Sequence, residues 1–267
     1  MLLKYWKMFD VGLQNTFVYR WNFLLRSLFG LLPLAGTVLI WRAIFQESSA
    51  SIKGYDYASM IWYFLLALLV DNLTTPTEDE WQIAADIREG QINAFLVKPI
   101  NYLGYRISLY LSYRAIYTAV TILPVALVFL VFREYITLPT QPITWFFSAL
   151  SLLMAAAISF LITYSVAMTA FWLLEISTLV FIVYSFEFFL SGHSFPLDIM
   201  PAWFQEVLRF VPFPYQMFFP IQVFTERVQG AALYQGLCIQ AVWVFLMWLL
   251  AQALWKRGVQ KFQAYGG

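Results

Sequence analysis

The chain has 267 residues, of which 61% are hydrophobic, 20% aromatic and 12% charged, and its net charge is +1. So few charges cannot cover so much apolar surface on a soluble globule, which excludes an ordinary soluble enzyme and a disordered chain. The balanced charge, without a basic patch, excludes a nucleic-acid binder, and a single cysteine (Cys238) beside a single histidine (His193) leaves no disulfide framework and no Cys-based zinc site.

At the N-terminus, Leu2, Trp6, Phe9, Leu13 and Phe17 fall at helical spacing, while Lys4, Lys7, Asp10 and Gln14 lie largely elsewhere on the wheel. This predicts an amphipathic interfacial helix over 1–20 on the inner membrane surface. A cleaved signal peptide is not expected, because Asp10, Asn15 and Arg20 interrupt any apolar core.

Charge-free stretches then mark the spans. No charge lies between Arg26 and Arg42, Asp56 and Asp71, Arg114 and Arg133, Glu134 and Glu175, or Val228 and Trp255, and Ile176 to Ser191 carries only Glu187. A hydrocarbon core of ~30 Å needs about 20 apolar residues. Six transmembrane helices are therefore predicted, at 22–45, 57–75, 112–132, 144–169, 173–191 and 232–255. With both termini inside, eleven Lys and Arg fall on the inner side and five on the outer, which favours N-in, C-in. Trp21, Trp41, Trp62, Tyr113, Trp145, Trp172 and Trp255 read as an aromatic belt near span ends. The fold class is an all-α polytopic membrane protein with one transmembrane domain over 1–267.

Between spans two and three, residues 76–103 carry five acids and two bases. Thr77 with Glu80 forms a capping box, and Glu78, Asp79 and Glu80 suit the positive end of a helix dipole. Trp81, Ala84, Ala85 and Arg88 share one face, with Trp81 expected to be buried, and Gly90 stops the helix. A second short helix, 92–97, ends at Pro99 and leaves Ile92, Phe95 and Leu96 partly exposed for a partner protein to cover.

Between spans five and six, residues 192–231 are too apolar for a free loop and too proline-broken to span. Pro201 starts a helix with Trp203, Phe204, Val207, Leu208 and Val211 on one face, and Pro212 and Pro214 stop it. A second short helix from Tyr215 to Arg227 is expected to bend or break near Pro220. The pattern predicts a re-entrant hairpin in the outer leaflet, covered by protein or lining a cavity.

Taken together, Asp86, Ile87, Arg88 and Gly90 followed by Leu96, Lys98, Pro99 and Ile100 resemble the coupling region of type-2 ATP-binding-cassette exporter permeases. Gly192, Phe195, Pro196 and Leu197, then Pro201, Trp203, Pro212, Pro214 and Tyr215, resemble that family's outer hairpin. The resemblance covers essentially the whole chain and is strongest to the compact form without a fused ATPase. It implies a non-catalytic permease subunit in the plasma (cell inner) membrane, paired with a second permease, identical or paralogous. It further implies two copies of a nucleotide-binding ATPase subunit. ATP and Mg are expected on that partner and no cofactor on this chain, in which no lysine follows a glycine and no P-loop occurs. The coupling residues implied are Trp81, Asp86, Arg88, Gly90, Lys98, Pro99 and Glu175. The outer gate implied is Glu187, Gly192, Phe195, Pro196, Pro201, Trp203, Pro212 and Pro214. Aromatic spans and an apolar hairpin favour an amphipathic, lipid-like or drug-like cargo.

Acids inside a membrane are functional candidates. Glu187 is close enough to the outer end to snorkel or to pair with an outer base such as Arg209, with substrate contact as the alternative role, and Asp71 is expected to pair with Arg114 or Arg26, both acids lying toward span ends. His193 reads as a hydrogen-bonded interfacial imidazole. The rival reading, an ion-coupled secondary transporter using Asp71 and Glu187, needs carboxylates near the midplane. A membrane enzyme lacks its acid–base equipment, since no second histidine accompanies Gly192, His193 and Ser194.

Overall fold

A computed structural model describes residues 2–18, 20–47, 51–77, 79–97 and 100–266. The expectations for Glu78, Lys98 and Pro99 lie outside these residues, as do those for the side chains of Leu2, Lys4 and Arg20. The described residues form eleven α-helices, short 3-10 turns and one isolated bridge, Ile52 to Tyr55. The helices are α1 (Leu2–Phe17), α2 (Arg20–Glu47), α3 (Tyr57–Thr74), α4 (Asp79–Arg88), α5 (Asn93–Leu96), α6 (Tyr102–Val131), α7 (Pro142–Met168), α8 (Ser177–Leu190), α9 (Ala202–Leu208), α10 (Phe218–Phe224) and α11 (Gly230–Gly266).

Five helical stretches are long and apolar enough to cross a membrane: Trp21–Gln46, Tyr57–Arg88, Tyr102–Val131, Pro142–Phe171 and Gly230–Phe262. The predicted fifth span, 173–191, is corrected to α8, which has 14 residues. At 1.5 Å per residue that is roughly 21 Å, short of the ~30 Å core. Non-helical residues 173–176, which follow a 3-10 turn at Thr169–Phe171, take up the start of the predicted span.

Helix α3 runs through the interior, with Met60, Ile61, Tyr63, Leu65 and Leu66 all buried. Trp62 is buried with them, not placed in an interface belt. Asp56 starts α3 with a capping box: its carboxylate accepts from the Ser59 amide at 2.9 Å, and the Ser59 hydroxyl accepts from the Asp56 amide at 3.0 Å. Helix α7 packs against α11, α10, α4 and α3.

The third span begins at Tyr102, ten residues before the predicted 112, with Asn101 accepting from the Gly104 amide. Tyr102, Arg106, Tyr110 and Arg114 recur every fourth residue, and all four are buried. Their polar ends look inward, so charges that resemble a span end belong to its interior face. Helix α1 packs along α6, where the Ser112 hydroxyl donates to the Phe9 carbonyl at 2.8 Å. Trp6 and Phe17 of α1 are exposed.

After α8 the chain folds back against α3 and α7 through α10. Pro220 does not break α10. It stands in the first turn, where the missing N–H costs no helical bond. In α9, Leu208 turns inward while Trp203 and Val207 are exposed, so the predicted apolar face is split.

Candidate functional site

The predicted functional residues fall into two groups, one around α4 and one around the turn after α8. In the first, Ile83, Ala84 and Ile87 bury one face of α4 against α7. Trp81 is not on that face and is 37% exposed, a correction to the predicted burial. Ile92 is fully buried rather than partly exposed, while Leu96 remains at the surface. Gly90 ends α4 with φ +75°, a left-handed conformation that favours glycine.

Arg106 anchors α4 to α6, and it was missing from the residues singled out in the sequence. Its guanidinium is 3.4 Å from the Asp79 carboxylate and 3.7 Å from that of Asp86. It also donates to the Asp79 carbonyl and to Gln82 Oε1, each at 3.3 Å. Asp86 in turn accepts from the Tyr102 hydroxyl at 2.6 Å, and the Tyr102 ring stacks on Trp255 of α11 with centroids 5.0 Å apart. A buried guanidinium is tolerable only with this many partners. The four-residue spacing of Tyr102, Arg106 and Tyr110 is the one sequence signal that these residues share a buried helical face.

Arg88 leaves α4 in the other direction. It donates to the Leu174 carbonyl at 3.1 Å and lies 3.9 Å from the Glu175 carboxylate. The two expected coupling elements, 86 residues apart at this contact, thus meet at one surface, where Leu174 is 91% exposed. The Ser177 amide and hydroxyl, with Arg88 beside them, hold the Glu175 carboxyl below its ordinary range.

In the second group, Gly192 adopts φ +98° directly after α8. Its carbonyl accepts from the Tyr63 hydroxyl at 2.6 Å, and the Ser191 carbonyl accepts from the Phe218 amide at 2.9 Å. Glu187 does not pair with Arg209. Its carboxylate accepts from Gln216 Nε2 at 2.9 Å, and the same amide donates to Ser159 of α7 at 3.0 Å. Arg209 meets Glu206 on its own helix instead. The reason is geometric: the chain folds back so that Gln216, seven residues past Arg209, reaches the α7 interior.

Asp71 and His193 lie 3.7 Å apart, and the imidazole stacks on Phe188. Arg114, a predicted partner of Asp71, instead donates to the main-chain carbonyl of Asn72 at 2.7 Å. Pro196 and Pro214 are buried, Phe195 and Pro212 are half-buried, Pro201 caps α9, and Trp203 is 69% exposed.

At the same end, Tyr55 donates to Asp198 at 2.9 Å and accepts from Gln222 at 2.8 Å. The Arg227 guanidinium covers the Tyr55 ring at 3.7 Å. Burial pushes the Asp198 carboxyl up. Among the described residues no group of His, Cys, Asp and Glu is arranged to hold a metal ion.

A family model described as "ABC-2 family transporter protein" matches residues 31–266. No curated protein and no solved structure matches the chain.

Proposed function

The chain belongs to the ABC-2 transporter family, whose permeases are multi-pass membrane components that work with a partner ATPase subunit, and on that premise we propose that it is the permease of an ATP-driven exporter. In this reading α4 and the Trp172–Ile176 turn form the docking face for the ATPase. Two permeases, identical or paralogous, pair with two ATPase copies, which carry ATP and Mg. Both termini and α4 are cytoplasmic, in the cell inner membrane, with α1 at the interface.

The observation that carries the reading is the junction of Arg88 with Leu174 and Glu175. It makes one surface of two loops, with Trp81 and Leu174 exposed on it. Behind that surface Arg106 ties α4 to α6, while Ile83, Ala84 and Ile87 tie it to α7. ATPase closure that pushes α4 therefore moves α6 and α7 as well, rather than bending a free loop. At the far end the segment from Gly192 to Phe224, held by Tyr63 and by Glu187 through Gln216, acts as a re-entrant outer gate. The cargo is amphipathic, in keeping with the aromatic-rich helices.

The test is co-purification with the ATPase and nucleotide hydrolysis by the reconstituted pair. Trp81→Ala combined with Glu175→Arg changes only surface side chains, and it is expected to abolish complex formation while the permease still inserts and melts normally. Retention of the complex would falsify the docking assignment. Export that follows an imposed pH gradient without ATP, and disappears in Glu187→Gln, would instead support ion coupling.

A further inference from the structure

An apolar cavity of about 410 Å³ opens on the side of the bundle between α6 and the α7–α11 pair. Ala156 and Ala157 of α7 and Ala241 of α11 leave it deep, and Leu111, Phe245 and Trp248 frame its mouth. Every lining side chain is hydrocarbon or aromatic. The one hydroxyl, on Tyr110, is committed elsewhere, donating to the Thr74 carbonyl at 2.6 Å.

These facts determine what can fill the space. Water needs two to four polar partners in a cavity, and the lining offers at most the Trp248 indole N–H. An apolar cavity of about 150 Å³ already accepts benzene, so this one admits a run of chain methylenes. All three walls are membrane-crossing helices, so the medium at the mouth is bilayer hydrocarbon. An empty groove would forfeit dispersion contacts along its whole length.

Charge near the groove selects the headgroup. Lys256 stands eleven residues beyond Phe245 on α11, about three turns along and on the same face. It is exposed, and Arg257 beside it is exposed as well. We propose that this groove is a resident site for one anionic phospholipid, with an acyl chain along Ala157 and Ala241 and the phosphate near Lys256. Lipid bound there wedges α6 from α7, the two helices that carry Arg106 and the α4 contact face.

The test uses the full-length chain in phosphatidylcholine nanodiscs doped with phosphatidylglycerol carrying a diazirine in its acyl chain. After illumination, adducts are expected several-fold more often on 107–111, 153–161 and 241–248 than on α2, whose Phe29 and Leu32 are equally open to lipid. Even labelling of α2 and the groove overturns the site. Groove segments left without adducts while α2 is labelled overturn it in favour of a second chain that covers the groove. Lys256→Glu should lower groove labelling several-fold with the phosphatidylglycerol probe and leave it unchanged with a phosphatidylcholine probe. Equal labelling by both probes in the unaltered chain overturns the anionic headgroup. Ala157→Phe should remove the groove adducts with an unchanged melting temperature. Ala241→Leu provides the same reading should the first variant not fold.

Discussion

The Tyr63 hydroxyl of α3 donates to the Gly192 carbonyl at 2.6 Å, across 129 residues of sequence. A side chain at 192 would set its Cβ 2.5 Å from the same hydroxyl, at a φ of +98° that side chains rarely adopt. Tyr63→Phe removes the donor but keeps the ring, and should cost about 1–3 kcal/mol by leaving a buried carbonyl unpaired. Gly192→Ala adds backbone strain of about 1–3 kcal/mol and expels the hydroxyl as well. Thermal unfolding in detergent should therefore rank Gly192→Ala below Tyr63→Phe, and both below the parent. The reverse order would show that the turn tolerates a side chain.

Arg106 carries a second prediction. Replacing it with alanine leaves Asp79 and Asp86 facing each other's field without the cation between them, at a cost of about 3–5 kcal/mol. Asp86→Asn should cost much less, because the Tyr102 hydroxyl still has an acceptor there. In the reconstituted transporter Asp86→Asn should lower export per ATP hydrolysed, since α4 is then less firmly held to α6. Unchanged coupling would assign Arg106 to stability alone.

At the surface next to it, Arg88 and Glu175 permit a charge-reversal test. Each single reversal, Arg88→Glu or Glu175→Arg, should weaken co-purification with the ATPase. The double reversal restores the internal pair but presents opposite charges to the partner. If the ATPase reads these charges directly, binding stays weak in the double variant. If the pair only holds the α4 and α7 loops together, binding returns. Melting temperatures should stay near the parent's throughout, as exposed pairs contribute little.

The long apolar helices were legible because a lipid-facing helix advertises itself as a charge-free run, and α3, α7 and the start of α11 fall within two or three residues of their predicted limits. The start of α6 was not, since Arg106 and Arg114 read as a boundary when their partners on α3 and α4 are unknown. The same blindness to long-range partners misassigned Glu187, whose acceptor role depends on Gln216, 29 residues away. Local rules did place the α4 stop at Gly90 and the start of α9 at Pro201. They could not say which side of α4 faces the bundle, because both Trp81 and Ile83 are apolar enough to be buried. Packing against α7 chose Ile83.

The last prediction concerns pH at the hairpin end. Helix α7 has no capping side chain of its own at Gln141. Glu226 supplies one from across the fold: its carboxylate accepts from the Gln141 amide at 3.0 Å, from Thr144 at 2.9 Å and from Thr140 at 2.7 Å. An anion at a helix N-terminus also meets the positive end of the dipole. Those hydrogen bonds lower the Glu226 carboxyl from its ordinary 4.5 to about 2. The folded state then holds its proton less tightly than the unfolded chain. The stabilisation is fully present above pH 4.5 and is lost as the pH falls toward 2. Glu226→Gln should therefore lower the melting temperature at neutral pH, and the gap to the parent should narrow progressively below pH 4.5. A gap that stays constant from pH 7 to pH 3 would mean that the ionised form gives no advantage over a neutral acceptor. The cap would then rest on hydrogen-bond geometry rather than charge.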